Sequence, residues 1–357
     1  MIDSADALAA YAVRAARADS LALDTEFMRE KTYRAELCLV QVADSEGAVC
    51  IDPLAVPDLG GLAPVLTAAN VVKIMHAARQ DLEVLLPAVG LVTPVFDTQI
   101  AAALAGFPAQ VGYAELVRRL LGVDLSKAHT RADWARRPLS PEEQEYALDD
   151  VRHLAALRAS LLDTLRAKGR IAWLEEELAA LANADALRVA PEDAWKKVKG
   201  LPSLDAGRQE LAQALAAWRE RRASERNRPR GWIIDDVSLR EIVLRLPGSL
   251  DALAQLPEMQ DSVVRKCGEE LLALVREAGI PDPPPALPRR ERPDPAQVAL
   301  VKRLAEIANE AAKALEISAE VVATRRELER LASGRRDVSL LRGWRAEVVG
   351  EKLLAAL

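Results

Sequence analysis

Cysteine, histidine and aromatic residues are scarce in this 357-residue chain, which has three Cys, three His and only 4% Phe, Trp and Tyr. Cys38, Cys50 and Cys267 lie in apolar stretches without CxxC spacing, which argues against a disulfide framework or a zinc ribbon and for buried thiols in a reducing compartment. No apolar run approaches the roughly 20 residues that cross a bilayer, and the opening MIDSADALAAYAVRAARADS lacks the basic-then-apolar order of a secretory signal. A cytoplasmic protein without a membrane partner is therefore expected. A basic excess is missing too: 48 Lys and Arg against 54 Asp and Glu leave a net charge of −6, so any polyanion must be met by a local patch or by metal. What the chain does have is length enough for two or three domains and 50% hydrophobic residues to fill their cores.

The first 160 or so residues alternate strand-like and helix-like patterns, and the remainder reads as helix with short breaks. LALDTEF (21–27), ELCLVQVAD (36–44) and AVCID (48–52) predict three consecutive strands. A helical stretch near 59–69, a strand at VVKIMH (71–76) and a helix from about 78 follow, the last with Leu82, Leu85, Leu86 and Val89 at helical spacing. This is the pattern of an α/β domain with a mixed sheet over 1–165, trailed by a helical connector over 166–204. Between 205 and 280, Leu211, Leu215 and Trp218 set an apolar stripe and Pro247 and Pro257 punctuate shorter helices, predicting a small all-α domain. The prolines of IPDPPPALPRRERPDP deny the backbone a helix or central strand, so 281–295 reads as a semi-rigid linker. Across it, CGEELLALV (267–275) is similar to VGEKLLAAL (349–357), with Gly268 and Gly350 82 residues apart. Duplication of a helical module, its second copy at 296–357, accounts for the likeness; so does chance similarity of two amphipathic helix ends.

Certain carboxylates fit poorly into a structural role. Asp24 and Glu26, two apart on a predicted strand, point to one side roughly 6.6 Å apart, while Leu21, Leu23 and Phe27 face the other way. Such a pair repels itself unless it faces water or a cation neutralises it. Asp81 falls in the first turn of a predicted helix, where an acid also complements the helix dipole. Ser140-Pro141-Glu142-Glu143 is a capping box with proline at the first helical position, so the helix face can be counted from there. Tyr146, Asp150, Leu154 and Leu157 then share a stripe, with Asp149 bordering it. Oxygen donors without clustered His or Cys suit Mg²⁺ or Mn²⁺, and two such ions promote phosphodiester hydrolysis.

At these residues the chain resembles the DEDD exonucleases of the subtype with tyrosine in the third motif, and within it the ribonuclease D family. LALDTEFMREKTYRAELCLVQVA is similar to the family's first motif, KIMHAARQDLEVL to its second and EYALDDVRHL to its third, whose tyrosine-x-x-x-aspartate spacing Tyr146 and Asp150 meet. The resemblance implies an α/β, ribonuclease H-like catalytic domain followed by two small all-α HRDC-type domains. It also implies that Asp24, Glu26, Asp81 and Asp150 hold two divalent ions, selects Asp150 over Asp149, and gives Tyr146 the placing of the attacking water. It extends through LSKAHTRADWARRPLS (125–140), where Lys127 and Arg131 are candidate phosphate contacts or plain loop cations. Phe27 is a candidate for stacking on the terminal base, although strand alternation assigns it to the core.

Downstream, AWKKVKG (194–200) and the 211–277 region resemble an HRDC domain. There Arg219, Arg221, Arg222, Arg226, Arg228 and Arg230 cluster near Trp218 and Trp232, suited to phosphate contact and base stacking, with Arg222 a candidate substrate contact. Interspersed Glu220 and Glu225 equally suit a solvated helix face. The function so implied is metal-dependent 3′–5′ exoribonuclease activity on RNA, tRNA precursors above all, by a monomer that releases nucleoside 5′-monophosphates. A DNA exonuclease and a catalytically silent nucleic-acid-binding module are the rivals.

Overall fold

The computed structural model describes residues 1–126, 132–187, 190–281 and 294–357. They form two units. One holds the described residues of 1–28, 37–187 and 294–357, the other those of 29–36 and 190–281.

The first unit is built on strands β1 (Ser20–Met28), β2 (Glu36–Asp44), β3 (Gly47–Ile51), β4 (Val72–Met75) and β5 (Val95–Asp97), in the order β3-β2-β1-β4-β5. β2 and β3 are an antiparallel hairpin with Gln41 opposite Cys50, whereas β1, β4 and β5 run parallel, with Leu21 opposite Lys73. The sheet is mixed, and β1 lies at its centre. Helices α1 (Ala5–Ala15), α2 (Arg79–Val89), α3 (Thr98–Ala105), α4 (Tyr113–Leu121), α5 (Pro141–Arg152), α6 (Leu154–Ala167) and α7 (Ile171–Leu181) cover it. Alternation along β1 divides the packing. Leu21 and Leu23 join Val40, Val42, Leu8, Leu82 and Leu85 in one core, and Ala22 joins Ile74, Phe96, Leu104, Leu116 and Leu157 in another.

The structure corrects two sequence expectations here and adds a strand the sequence did not announce. The stretch near 59–69 forms only a 3₁₀ turn, Gly60–Leu62, and one α-turn, Ala63–Leu66, because two glycines and Pro64 shorten it. β5 had no sequence signal, since three residues are too few for a period. The helix that starts at Ser140 is not continuous through Leu157 but breaks at His153.

The second unit contains α8 (Ala206–Glu225), α9 (Asp236–Arg245) and α10 (Asp261–Glu277) around a core of Leu211, Leu215, Leu239, Ile242, Leu253 and Leu271. Its arginines do not form one basic face, as the cluster in the sequence suggested. Arg219 is fully buried, bonded to Asp236 at 2.7 Å and to the Ile234 carbonyl. Arg222 is paired with Glu270 at 2.6 Å and lies over the Trp218 ring, whose Nε1–H donates to the same Glu270. Arg219 is an internal brace, and Arg222 is half-buried in a pair whose Glu270 is exposed.

Back in the first unit, α11 (Pro295–Leu315) and α12 (Arg325–Ala332) bury Leu304, Leu328 and Leu331 in the same core as Leu161, Leu165 and Leu174. Trp344 stacks on Trp173 at 4.6 Å and donates its Nε1–H to Glu177. The two glycines of the sequence repeat both mark close packing. A Cβ on Gly268 would sit 2.5 Å from a Leu250 methyl, and one on Gly350 would sit 2.8 Å from the Leu340 carbonyl. The linker expected at 281–295 lies, from 282 to 293, outside the described residues.

Candidate active site

β1 sets two of the acids. Because side chains alternate, Asp24 and Glu26 point to the α5 side of the sheet while Thr25 points to the opposite face. α5 sets the third. The Ser140 hydroxyl accepts from the Glu143 N–H at 3.2 Å, the Glu143 carboxylate accepts from the Ser140 N–H at 2.7 Å, and Pro141 opens the helix. From that start Asp150 falls on the face toward β1, and carboxylate oxygens of Asp24, Glu26 and Asp150 lie within 4.8 Å of one another.

The fourth sequence-predicted acid is placed differently. Asp81, buried in the first turn of α2, accepts a short hydrogen bond from Thr25 Oγ1 and stands outside that trio. Sequence reasoning missed Thr25, although a threonine where alternation calls for an apolar residue was a readable signal. Asp149 is held by Arg152 at 2.6 Å. Phe27 is half-buried at the end of β1. Lys127 and Arg131 lie outside the described residues, and Arg222 belongs to the second unit, engaged as above.

Packing acids together under a protein roof has electrostatic consequences. Burial, and then the charges of Asp81, Asp150 and Glu26, hold the Asp24 carboxyl well above the usual range. Burial and the neighbouring acids push Glu26 to about 8, burial and Asp149 push Asp150 to about 7, and burial takes Asp81 to about 6. Among the described residues no Lys or Arg forms an ion pair with Asp24, Glu26 or Asp150. Three half-buried, converging carboxylates with no cationic partner among the described residues are a donor set that fits hard divalent cations.

Beside them stands Tyr146, one turn before Asp150. Its ring stacks on the buried Trp134, with centroids 6.3 Å apart and planes 27° apart. Burial and the charges of Asp150, Glu26 and Asp24 push its phenol to about 12. The hydroxyl therefore keeps its proton at neutral pH and acts as a donor. Trp134 is a further residue that the sequence reading left without a role.

Comparison with known proteins places this geometry. Residues 1–166 match a family model described as 3′–5′ exonuclease, and residues 208–275 match the HRDC domain. The curated ribonuclease D of Jannaschia sp. (strain CCS1) is 42% identical over 369 residues, covering 100% of this chain and 94% of that protein. That of Granulibacter bethesdensis is 40% identical, covering 99% and 91%. The crystal structure of Escherichia coli RNase D, described as an exoribonuclease involved in structured RNA processing, superposes with a TM-score of 0.89 at 34% identity, covering 100% of this chain and 98% of that one. An exonuclease domain with converging acids, an HRDC domain and full-length similarity at this level leave one assignment: the chain belongs to the ribonuclease D family and is a 3′–5′ exoribonuclease with a DEDD-type, divalent-metal-dependent catalytic domain.

Proposed function

We propose that Asp24, Glu26, Asp81 and Asp150 hold two divalent ions, Mg²⁺ or Mn²⁺, and that the chain trims structured RNA precursors, chiefly the 3′ trailers of tRNA, to nucleoside 5′-monophosphates. The trio of carboxylates within 4.8 Å carries the reading. Asp81 lies near enough to raise the pKa of Asp24 and Glu26, which supports its joining them by exchanging the Thr25 hydroxyl for a cation. When bound, such ions acidify water and neutralise charge developing on the phosphate. Tyr146, protonated and backed by Trp134, orients the attacking water by hydrogen bonding and does not serve as its base. Water adds to the terminal phosphorus, the bond to the neighbouring 3′-oxygen breaks, and the shortened RNA keeps a 3′-hydroxyl. Replacing Tyr146 by Phe is expected to lower kcat by about 10- to 100-fold with the metal activation curve unmoved.

Phe27 would stack on the terminal base, with Lys127 and Arg131 on the phosphates. In the second unit we assign RNA contact to Trp232, 58% exposed with the Arg228 guanidinium 5.6 Å from its ring centre, and to exposed Arg226. Arg222, spent on Glu270, is not part of that surface. Trp232→Ala should weaken RNA binding about tenfold by losing a stacked base, and each arginine replaced by Ala should reduce the salt slope by about one. In fluorescence-anisotropy titrations at two salt concentrations, unchanged affinity and slope would refute this surface.

The substrate reading is tested by gel analysis of 3′-extended tRNA with Mg²⁺ or Mn²⁺, with and without EDTA, beside a matched DNA strand. Stepwise shortening of the RNA that EDTA stops is expected, from a species with the mass of one chain. Binding without shortening would favour a silent binding module, and faster loss of the DNA strand a repair nuclease.

A further inference from the structure

We infer that Tyr113 is a positioning residue for Asp150: its hydroxyl is inserted into the hydrogen-bond ladder between α5 and α6 and fixes the break that aims Asp150 at Asp24 and Glu26. The inference rests on the assignment of Asp150 proposed above.

In an unbroken α-helix the His153 N–H would donate to the Asp149 carbonyl four residues back. Tyr113 takes both ends of that bond. Its hydroxyl donates to the Asp149 carbonyl at 2.9 Å and accepts from the His153 N–H at 3.3 Å. α5 stops at Arg152 and α6 starts at Leu154, on either side of this insertion. Helices break sharply at Pro, at Gly, or where a polar group enters the ladder. ALDDVRHLAAL (147–157) contains neither Pro nor Gly, so the inserted hydroxyl is the cause at hand.

The tyrosine is itself held from several directions. It opens α4 directly after the N-cap Gly112. Its ring stands edge-on to His76, with centroids 5.7 Å apart and an interplanar angle of 60°. His76, just past the end of β4, is fixed by Thr98 Oγ1 at 2.8 Å and by the Val111 carbonyl at 3.0 Å. The break is thus dictated by elements far from α5 in sequence.

The break matters because α6 has no rotational freedom. Leu154, Leu157, Leu161 and Leu165 are fully buried and lock it into the core. On one continuous helix, Tyr146 and Asp150 would be carried wherever those leucines dictate, since about 100° per residue couples the faces. With the ladder opened at His153, the leucines serve a dry core and Asp150, three residues before the break, is oriented independently toward β1.

Tyr113→Phe keeps the ring against His76 and removes only the inserted oxygen. With the far-UV spectrum and RNA affinity in EDTA unchanged, the Mn²⁺ activation curve of hydrolysis should move about tenfold to higher concentration, as expected when support behind a metal ligand is lost. Excess Mn²⁺ should restore much of the rate. A Tyr113→Phe curve that superimposes on wild type overturns the inference whatever the change in Tm. Loss of the fold also overturns it, because the hydroxyl would then hold the domain and not the ligand. Asp150→Asn is run in parallel. If that variant retains wild-type Mn²⁺ binding, the ligand assignment itself has failed; if it loses binding while Tyr113→Phe does not, only the role of Tyr113 falls.

Discussion

Asp150→Asn is expected to lower kcat on 3′-extended RNA by on the order of 10³-fold while leaving RNA affinity in EDTA within about twofold of wild type. The substitution preserves shape and removes one of three carboxylates whose oxygens converge within 4.8 Å. Asn offers a neutral oxygen, so divalent affinity falls and the charge that builds on the phosphate loses its counterweight. Asp149→Asn is the internal control. Its carboxylate is bonded to Arg152, partly exposed and outside the trio, so less than about a threefold loss is expected. Side-by-side kinetics decide the matter: equal losses in the two variants would remove Asp150 from the role proposed for it.

The second large effect is on stability. In the metal-free protein Asp24, Glu26, Asp150 and Asp81 all have pKa values above those of free carboxyls, with Glu26 at about 8, Asp150 at about 7 and Asp81 at about 6. For an acid whose folded pKa is raised, the folded state binds more protons than the unfolded chain between the two pKa values. Stability is therefore greatest below the unfolded value near 4 and is lost as pH rises through the folded values. The metal-free Tm should fall by several degrees, roughly 5–10 °C, between about pH 5 and pH 8, an amount set by a few kcal/mol in a domain of this size. Mn²⁺ should reverse the loss at pH 8, because it binds the ionised folded state. Asp24→Asn, which relieves the repulsion permanently, should raise the metal-free Tm at pH 8 and abolish most of the response to Mn²⁺. Thermal scans that show a metal-free Tm rising across this interval, or no gain in Asp24→Asn, would contradict the electrostatic account.

The parts of the site legible in the sequence are those governed by local periodicity. Alternation on β1 put Asp24 and Glu26 on one face, and the capping box at Ser140 fixed the phase of α5 so that Tyr146 and Asp150 could be counted onto a common stripe. What escaped depends on partners distant in the chain. The break at His153 is imposed by a tyrosine 40 residues earlier, and no feature of α5 announces it. Asp81 lies near enough to act on the charge of Asp24, but Thr25, 56 residues away, bonds its carboxylate and it stands outside the trio. Arg219 and Arg222 looked like a free charge run because Asp236 and Glu270, which pair with them, come from later helices. The shared core of α11 and α12 with α6 and α7 likewise joins segments more than a hundred residues apart, through leucines any amphipathic helix carries.

The central claim is that Asp24, Glu26, Asp81 and Asp150 together bind a pair of divalent ions. Anomalous diffraction from crystals of the protein with Mn²⁺ and a short RNA tests it most directly. Two manganese peaks are predicted, about 3.5–4 Å apart, ligated among these four carboxylates, with Asp81 released from Thr25. A single peak, or an Asp81 still bonded to Thr25 while RNA occupies the site, would contradict it.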